Sequence, residues 1–559
     1  MRSRLKRPRR AAIAASCLAV ALWSSRVAAA AEYGLGGDPA AACGALSSAR
    51  AGATSIDAAA LVEAKPLAVA EKGPTPAGRI SPATPTVCRV LGHIMPNDPK
   101  APPIRFQVNL PLQWNGRSVQ YGGGGFNGVL ITGIGLPPAA PFDAPSPLAR
   151  GFVTYGTDSG HESKPGEAPQ LFAANDEAFI NFAHAAYKKV RDAAVMVIER
   201  AYGIKPEKMY YMGSSEGGRE GLTMAQRYPN DFDRIFARVP VINWTGLQHD
   251  GARAGLATVG EGWLRSAQVR LVHDAVLTAC DAQDGNADGL VEDAVGCKAR
   301  FDPAALLCAA GAGGDQCLSE AQVGAIRTLH SPYRFAFPLA NGVTEYPGWG
   351  VSGEATPSYG PTGGWSAWWL GSAPPALPPQ PANGISWVFG AGAIQHIYAR
   401  DLDFDVRKYR PEDFAARVRE VSELMDSTNP DLAAFKAHGG KLIILEHMSD
   451  YAQSPYAGIS YFQQVQQRLG EGGVAEFMRL YTAPGVDHVG SGGPSNVDML
   501  SVLVDWVENG RAPGDLVVVE QQAAQPIKTD RALPLCQWPG WPHYKAGDPK
   551  IAPSFACAR

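Results

Sequence analysis

The stretch Gly213–Gly217 reads Gly-Ser-Ser-Glu-Gly, which has the pattern Gly-x-Ser-x-Gly. The apolar run Met209–Met212 precedes it and predicts a strand, and the residues from Gly218 onward have the composition of a helix. A strand, a sharp turn and a helix together expose a nucleophilic serine above a parallel sheet. The stretch therefore predicts Ser215 as a nucleophile and the backbone N–H of Glu216 as a donor to an oxyanion. An ordinary glycine-rich turn is the alternative interpretation.

A serine nucleophile needs a base and an acid that orients the base. Hydrolases with this turn supply them in the chain order serine, acid, histidine. Asp450 and His488 occur in that order, and each follows an apolar run that predicts a strand. Because open α/β sheets build their sites at the carboxyl ends of strands, we predict Asp450 as the acid and His488 as the base. His447 and Asp487 are the nearest competitors, and we expect structural roles for them.

Apolar runs that predict strands alternate along the chain with helical patterns, such as that of residues 183–202. This alternation predicts an α/β fold with a mostly parallel sheet and helices on both faces. Residues 32–100 are rich in alanine and proline and predict loops, whereas 242–429 is rich in glycine, proline and tryptophan and predicts an inserted domain. The predicted strands are 104–110, 118–121, 151–156, 209–212, 234–239, 441–445 and 477–481. The predicted division is a signal segment 1–31, core 32–241, inserted lid 242–429 and core 430–559.

The first 31 residues have the features of a secretion signal. Six basic residues lie between Arg2 and Arg10, an apolar stretch covers 11–23, and small residues end the segment at Ala31. We predict a secreted or periplasmic protein with no membrane span, because no other segment approaches the length that a bilayer requires. Removal of the segment takes away seven basic side chains and changes the net charge from −3 to −10. Such an acidic chain argues against a nucleic-acid partner.

Eight cysteines remain when Cys17 of the signal segment is excluded. An even count behind a signal segment indicates four disulfides, with buried free thiols as the alternative. The spacing favours pairing of consecutive cysteines, although spacing alone leaves other pairings open. The predicted pairs are Cys43–Cys88, Cys280–Cys297, Cys308–Cys317 and Cys536–Cys557.

The segment Cys280–Leu290, which we name the aspartate loop, carries three carboxylates at short intervals between glycines. This composition suits a hard cation that takes six to eight oxygen ligands. The spacing differs from that of an EF-hand loop, because the twelfth position counted from Asp284 is Val295 and not a glutamate. A solvated acidic turn is the alternative. The predicted ligands are the side chains of Asp281, Asp284 and Asp288 and the backbone carbonyls of Asn286 and Leu290.

A run of four glycines, Gly122–Gly125, follows a predicted strand and precedes Ser215. Enzymes of this type place here the loop that gives the second oxyanion donor. A plain flexible loop is the alternative.

Seven stretches of the chain carry a resemblance to a known family: Trp114–Arg117, Gly122–Gly128, Gly156–His161, Gly213–Gly221, Gly439–Lys441, Ser449–Asp450 and Pro484–His488. With them the chain resembles the tannase/feruloyl esterase family over nearly all of its length beyond the signal segment. The resemblance implies an α/β-hydrolase core with a large lid, a structural Ca²⁺ at the aspartate loop and a small aromatic ester as substrate. It also implies a triad of Ser215, His488 and Asp450, and an oxyanion hole from the backbone N–H groups of Gly123 and Glu216.

Within the family, the segment Trp365–Ser372 resembles the branch that hydrolyses mono(2-hydroxyethyl) terephthalate. Trp368 stands at the position of a substrate-contacting tryptophan, and we place Ser386 with it as a second substrate-binding residue. The alternative for these tryptophans is the core of the lid, and we expect that role for Trp365 and Trp369.

The chain departs from the family at two places. Ser214 and Val489 stand where the family joins a cysteine before the nucleophile to one after the histidine, so that disulfide cannot form. The terephthalate branch binds the free carboxylate of its substrate with a lid arginine, whereas the corresponding residues here, 376–383, contain no cation. The sequence therefore predicts that neutral aromatic esters are better substrates than a mono-ester with a free carboxylate.

The leading prediction is a secreted serine carboxylic ester hydrolase that cleaves esters of aromatic, phenolic acids through an acyl-enzyme. The alternatives are a terephthalate mono-ester hydrolase, another hydrolase such as a peptidase or lipase, and a non-catalytic, calcium-stabilised binding protein on the same scaffold. The presence of all three triad residues argues against the last alternative.

Overall fold

A ten-stranded mixed sheet forms the centre of the computed structural model, which describes residues 32–71, 77–358 and 363–559. The predicted signal segment, 1–31, lies outside the described residues. In chain order the strands are β1 Tyr33–Gly34, β2 Arg50–Ala51, β3 Thr54–Val62, β4 Ala68–Ala70, β5 Arg79–Ser81, β6 Val87–Ile94, β7 Ile104–Pro111, β8 Gln113–Trp114, β9 Arg117–Tyr121, β10 Val153–Thr157, β11 Lys208–Ser214, β12 Arg234–Arg238, β13 Tyr333–Arg334, β14 Glu345–Tyr346, β15 Lys441–His447, β16 Met478–Ala483, β17 Leu516–Gln522, β18 Lys528–Leu535, β19 Trp541–Tyr544 and β20 Phe555–Ala558.

Helices cover the sheet and fill the long connection between β12 and β15. They are α1 Pro39–Ala45, α2 Asp176–Ile180, α3 Ala186–Tyr202, α4 Glu216–Arg227, α5 Trp244–Ala257, α6 Ser266–Cys280, α7 Ala294–Arg300, α8 Glu320–His330, α9 Gly363–Trp365, α10 Ile385–Ala393, α11 Ala415–Met425, α12 Ala433–Ala437, α13 Pro455–Leu469, α14 Glu471–Ala475 and α15 Met499–Glu508. Single π-helical turns occupy Asn181–Ala185, Ser366–Leu370 and Ile394–Tyr398.

The strand order is β16-β15-β12-β11-β9-β10-β7-β6-β3-β2. The first six strands are mutually parallel, and the other four pair antiparallel. Parallel strands covered by helices on both faces are buried throughout, and all five residues of β10 are buried. The chain therefore has the α/β-hydrolase architecture that the sequence predicts, and all seven predicted strands lie in this sheet.

Helix α3 shows how the sequence pattern produces one of the covering layers. Its apolar residues recur at helical spacing and face the sheet, where Val190, Ala194 and Val197 are fully buried. The helix ends at Gly203, whose φ of 78° is the left-handed conformation that glycine adopts without strain. The predicted helix and its end are thus confirmed.

The prediction of loops over residues 32–100 is wrong. Strands β3 and β6 lie in this range, pair with each other and extend the sheet beyond β7. The sequence of β3, Thr-Ser-Ile-Asp-Ala-Ala-Ala-Leu-Val, is rich in alanine, which strands disfavour, and its buried and exposed residues do not alternate. Pairing with a better strand, β6, therefore decides its conformation, and this is information that a local pattern lacks.

The chain between β12 and β15 adds helices α5–α12 and the antiparallel pair β13–β14, and its described residues add no strand to the central sheet. This agrees with an insertion into the core, although Glu32–Arg559 packs as one compact unit. The boundaries at 241/242 and 429/430 stay predictions.

The four predicted disulfides are confirmed. The pairs are Cys43–Cys88, Cys280–Cys297, Cys308–Cys317 and Cys536–Cys557. Among the described residues, no helix combines the length and the apolar character that a bilayer span requires.

Candidate active site

The Gly-x-Ser-x-Gly stretch forms a sharp turn between β11 and α4. Ser215 at the turn has φ 59° and ψ −121°, a conformation that non-glycine residues rarely adopt. A Cβ atom on Gly213 would lie 2.0 Å from the carbonyl oxygen of Gly217, and one on Gly217 would lie 2.7 Å from that of Gly123. Both glycines are therefore required by close backbone packing, and the strained turn lifts the Ser215 side chain above the sheet.

The structure brings Ser215, His488 and Asp450 together in one hydrogen-bonded chain. The Ser215 hydroxyl lies 2.9 Å from Nε2 of His488, and Nδ1 of His488 lies 2.7 Å from Oδ2 of Asp450. Asp450 follows β15, and His488 lies in the loop after β16, so both stand at the carboxyl ends of neighbouring parallel strands. This arrangement allows His488 to accept the serine proton while Asp450 fixes the imidazole tautomer.

Backbone amides hold the acid and the histidine loop in place. Oδ1 of Asp450 accepts hydrogen bonds from the N–H groups of Ala452 at 2.7 Å and Gln453 at 3.0 Å. Oδ1 of Asp487 accepts three more within the loop, from the N–H groups of residues 489, 490 and 491. Asp487 thus shapes the loop that carries His488, which is the structural role expected for it.

His447, the other competitor, is fully buried away from Ser215. Its Nδ1 donates to the backbone carbonyl of Asp487 at 2.6 Å. Burial, with the Arg238 cation nearby, lowers the pKa of His447 well below its ordinary value, so the ring is neutral. Its contacts are those of a residue that supports the histidine loop.

The two predicted oxyanion donors differ in the structure. The N–H of Glu216 is the first of α4 and has no partner within the helix. The N–H of Gly123 instead donates to Oε2 of Glu220 at 3.1 Å. Gly123 as an oxyanion donor stays a prediction, and its amide would have to share its hydrogen with Glu220, or leave Glu220, to serve an oxyanion.

The run Gly122–Gly125, which follows β9 and which we name the glycine loop, is held by buried side chains on both sides. The fully buried carboxylate of Glu220 also accepts hydrogen bonds from Asn127 at 2.6 Å and from the Tyr211 hydroxyl at 2.5 Å. On the other side, Nε2 of His161 lies 2.9 Å from the carbonyl oxygen of Phe126. No local pattern assigns Glu220 this role, because the contact joins residues 97 positions apart.

A cavity of about 430 Å³ opens above Ser215 and His488. Most of its wall is apolar and aromatic, including Phe126, Trp244 and Phe389. Trp368 lies on the π-helical turn in the connection between β12 and β15, with its ring centroid 6.0 Å from that of His488. A π-helical turn often marks a functional position. Trp368 lines the cavity beside the triad, and its contact with substrate stays a prediction.

The chain matches the family described as "Tannase and feruloyl esterase" over residues 88–558. This chain belongs to the tannase and feruloyl esterase family. It is 35% identical to an uncharacterized esterase of Agrobacterium fabrum, over 84% of this chain and 85% of that protein. It is 33% identical to the mono(2-hydroxyethyl) terephthalate hydrolase of Piscinibacter sakaiensis, over 93% and 92% of the two chains.

A solved esterase from Aspergillus oryzae has the same fold, with a TM-score of 0.75 at 21% identity over 92% of this chain and 99% of that one. Together with the triad geometry, these relationships show that this tannase-family protein is a carboxylic ester hydrolase. They give no support to the alternative of a non-catalytic binding protein.

Ser386 of this esterase is not among the residues that line the cavity, so its role as a substrate-binding residue stays a prediction. Its hydroxyl packs against Gly251 of α5. Ile385 and Phe389, four positions apart on α10, face the cavity instead. One residue along a helix turns the side chain by about 100°, and the sequence does not show which face of α10 meets Ser215. Trp365 and Trp369 are buried in the packing of this region, as expected.

The esterase has a cation in this cavity that the sequence analysis missed. Residues 376–383, where the terephthalate branch was expected to place an arginine, do not line the cavity. Asn383 and Trp387 hold this segment through hydrogen bonds to its backbone. Arg238, the last residue of β12, lines the cavity beside Ser215. The absence of a cation from 376–383 therefore does not leave the cavity without a positive charge.

The aspartate loop fits a cation only in part. Oδ1 of Asp281 accepts backbone N–H groups of residues 288 and 289, and Oδ2 of Asp288 lies 3.6 Å from Arg531. Oδ2 of Asp284 and both carboxylate oxygens of Glu292 are buried, and the hydrogen-bond donor within their reach is the other carboxyl group when it is protonated. No group of three or more acidic, histidine or cysteine side chains in the described ranges is arranged to hold a metal. Glu292 was not among the predicted ligands.

Proposed function

We propose that this esterase cleaves esters of small aromatic acids through an acyl-enzyme on Ser215. One observation carries the proposal: the hydrogen-bonded chain of Ser215, His488 and Asp450 opens into a cavity walled by aromatic side chains. Aromatic rings pair favourably with such a wall. The family description, which names tannase and feruloyl esterase, supports the same class of substrate.

The contacts define the steps. Nε2 of His488 takes the proton of the Ser215 hydroxyl as the serine oxygen attacks the ester carbonyl carbon. The N–H of Glu216 donates to the oxyanion that forms, and the C–O bond to the alcohol breaks as His488 returns the proton to the leaving oxygen. Water, deprotonated by His488, then attacks the acyl carbon, the bond from that carbon to the Ser215 oxygen breaks, and His488 returns the proton to Ser215 as the acid leaves. Asp450 holds the imidazole and stabilises its positive charge.

A substrate panel, measured with the wild type and one variant, tests the proposal. Methyl ferulate, methyl gallate and methyl benzoate are compared with ethyl butyrate by kcat/KM, and we expect the aromatic esters to exceed the aliphatic ester at least about tenfold. Ser215→Ala should remove turnover of all four and keep the melting temperature. An aliphatic preference would refute the substrate class, and an active Ser215→Ala enzyme would refute the mechanism.

We propose in addition that the protein is exported and that Ca²⁺ occupies the aspartate loop. Four disulfides favour an oxidising compartment, and residues 1–31 have the composition of an export signal. N-terminal sequencing of the exported protein should begin at Glu32, and a mature chain that retains residues 1–31 would refute the cleavage. For calcium, the buried and adjacent carboxyl groups of Asp284 and Glu292 support a cation, because two buried carboxylates are costly without a compensating positive charge.

A further inference from the structure

Arg238 is attached directly to the catalytic turn. It pairs with Ser214 in the parallel register of β11 and β12, and its carbonyl oxygen accepts the N–H of Ser215 at 2.9 Å. Nε of its guanidinium donates to the Ser214 hydroxyl at 2.9 Å. These contacts fix the guanidinium at the cavity wall next to the nucleophile.

The positive charge of Arg238 has no carboxylate partner among the described residues. No ion pair in the described ranges includes it, and its one side-chain hydrogen bond there is that of Nε. Asp450 and Asp487 are near enough to raise its pKa, but both already accept hydrogen bonds from other groups. Burial lowers the pKa to about 10, so the guanidinium stays protonated at neutral pH. Burial of a cation without a partner costs desolvation free energy, which an anion bound beside it offsets.

Arg238 also lies between two cavities. It lines the cavity of about 430 Å³ above Ser215 and a neighbouring one of about 710 Å³, and Val489 is the other residue common to both walls. A substrate can therefore place its ester carbonyl at Ser215 while another group contacts the guanidinium. The planar fork of an arginine matches the two oxygens of a carboxylate.

We propose that Arg238 binds a free carboxylate of the substrate, so that the preferred esters are those of aromatic acids that carry a second, ionised carboxyl group. The proposal rests on the proposed function and refines it. It reverses the sequence-based expectation of a preference for neutral esters, because the cation comes from the core strand β12 and not from residues 376–383. The competing role is purely structural: Arg238 would tie the catalytic turn to the histidine loop, where the family disulfide is missing.

A matched substrate pair separates the two roles. Monomethyl terephthalate and methyl 4-carbamoylbenzoate differ only in that an ionised carboxyl group replaces a neutral amide. We expect the wild type to favour the anion. Arg238→Gln should lower kcat/KM for the anion roughly ten- to a hundredfold, the range of a lost charge-assisted hydrogen bond, and change the amide less than about threefold. Arg238→Lys keeps the positive charge without the planar fork. Its kcat/KM for the anion should lie between those of the wild type and of Arg238→Gln.

Arg327→Gln is the control, because Arg327 pairs with Asp302 on the surface. This substitution should leave the ratio of kcat/KM for the two esters unchanged. Equal losses on both esters, or an unaltered ratio in both Arg238 variants, would overturn the proposal in favour of the structural role. Because Arg238→Gln can fail to fold, the Arg238→Lys enzyme decides the question in that case.

Inhibitors keep this test independent of the proposed substrate class. If the wild type hydrolyses p-nitrophenyl acetate but no aromatic methyl ester, the proposed function fails, and Arg238 is then tested through binding alone. 4-Carbamoylbenzoate should inhibit p-nitrophenyl acetate hydrolysis more strongly than terephthalamide does, and Arg238→Gln should remove the difference. Equal inhibition by the two compounds in the wild type would refute carboxylate binding.

Discussion

Gly217→Ala is the most informative single change, because Gly217 packs directly under the glycine loop of the active site. The new Cβ would lie 2.7 Å from the carbonyl oxygen of Gly123 and 2.9 Å from the carbonyl carbon of Gly122. Both contacts are with backbone, so no side chain can rotate away. An ordinary contact begins at 3.4 Å, so the loop has to move by about 0.7 Å.

That displacement disturbs the two hydrogen bonds that hold the loop. The N–H of Gly122 donates to the carbonyl of Met212, and the N–H of Gly123 donates to Glu220. Misplacement of catalytic groups by about 1 Å costs on the order of a hundredfold in rate, and overpacking costs about 1–3 kcal/mol of stability. We therefore expect kcat for an aromatic methyl ester to fall by roughly a hundredfold, with a lowered midpoint of urea unfolding.

Gly440→Ala provides a matched control. Its Cβ would lie 2.5 Å from the ring of Phe435, so it also overpacks the core, but Gly440 precedes β15 at the end of the sheet opposite the active site. We expect a similar loss of stability with kcat near that of the wild type. If Gly217→Ala keeps kcat within about threefold while both variants lose stability, the loop does not depend on this packing and the reasoning fails.

Three further predictions concern the base, a buried carboxyl group and the aspartate loop. His488→Ala should lower kcat by about 10⁴-fold or more, whereas His447→Ala should lower mainly the melting temperature; the opposite pattern would move the base to His447. Burial and the nearby Asp450 raise the pKa of Glu446 well above its ordinary value, so the folded protein keeps a proton that the unfolded chain releases above about pH 4.3. The stability from this group therefore falls as the pH rises above that value, by up to about 1.4 kcal/mol per pH unit. Glu446→Gln should remove this fall in the free energy of unfolding, measured with urea between about pH 5 and 8. Curves of unfolding free energy against pH that run parallel for the wild type and Glu446→Gln would contradict the prediction. Chelation of Ca²⁺ should lower the melting temperature of the wild type and not that of Asp284→Ala; identical melting of the wild type with and without chelator, and no bound metal, would exclude the site.

The residues that sequence analysis placed correctly have strong local signals. Ser215 lies in a pattern whose glycines are enforced by backbone contacts, and Asp450 and His488 follow apolar runs long enough to be recognised as buried strands. Strand order then brings the two together, because neighbouring parallel strands end on the same edge of a sheet.

The residues that it missed depend on contacts between distant parts of the chain. Arg238 appears only as the end of an apolar strand, and its position follows from the register that sets it beside Ser214. Glu220 appears as one charged residue of a helix, and its role follows from the loop above it. Ile385 and Phe389, and not Ser386, line the cavity, and the sequence could not show this because α10 is apolar nearly all round and its pattern does not reveal which side meets the cavity.

The connectivity of the disulfides has a consequence for how the protein matures. Each cysteine of the four pairs bonds to the next one along the chain, at separations of 45, 17, 9 and 21 residues. A bond between the positions of Ser214 and Val489, where the resembling family is expected to have one, would have to wait for all of the chain between them. Without it, pairing each cysteine with the next one along the chain gives the native connectivity, so we expect the reduced chain to reach the native disulfides without an isomerase.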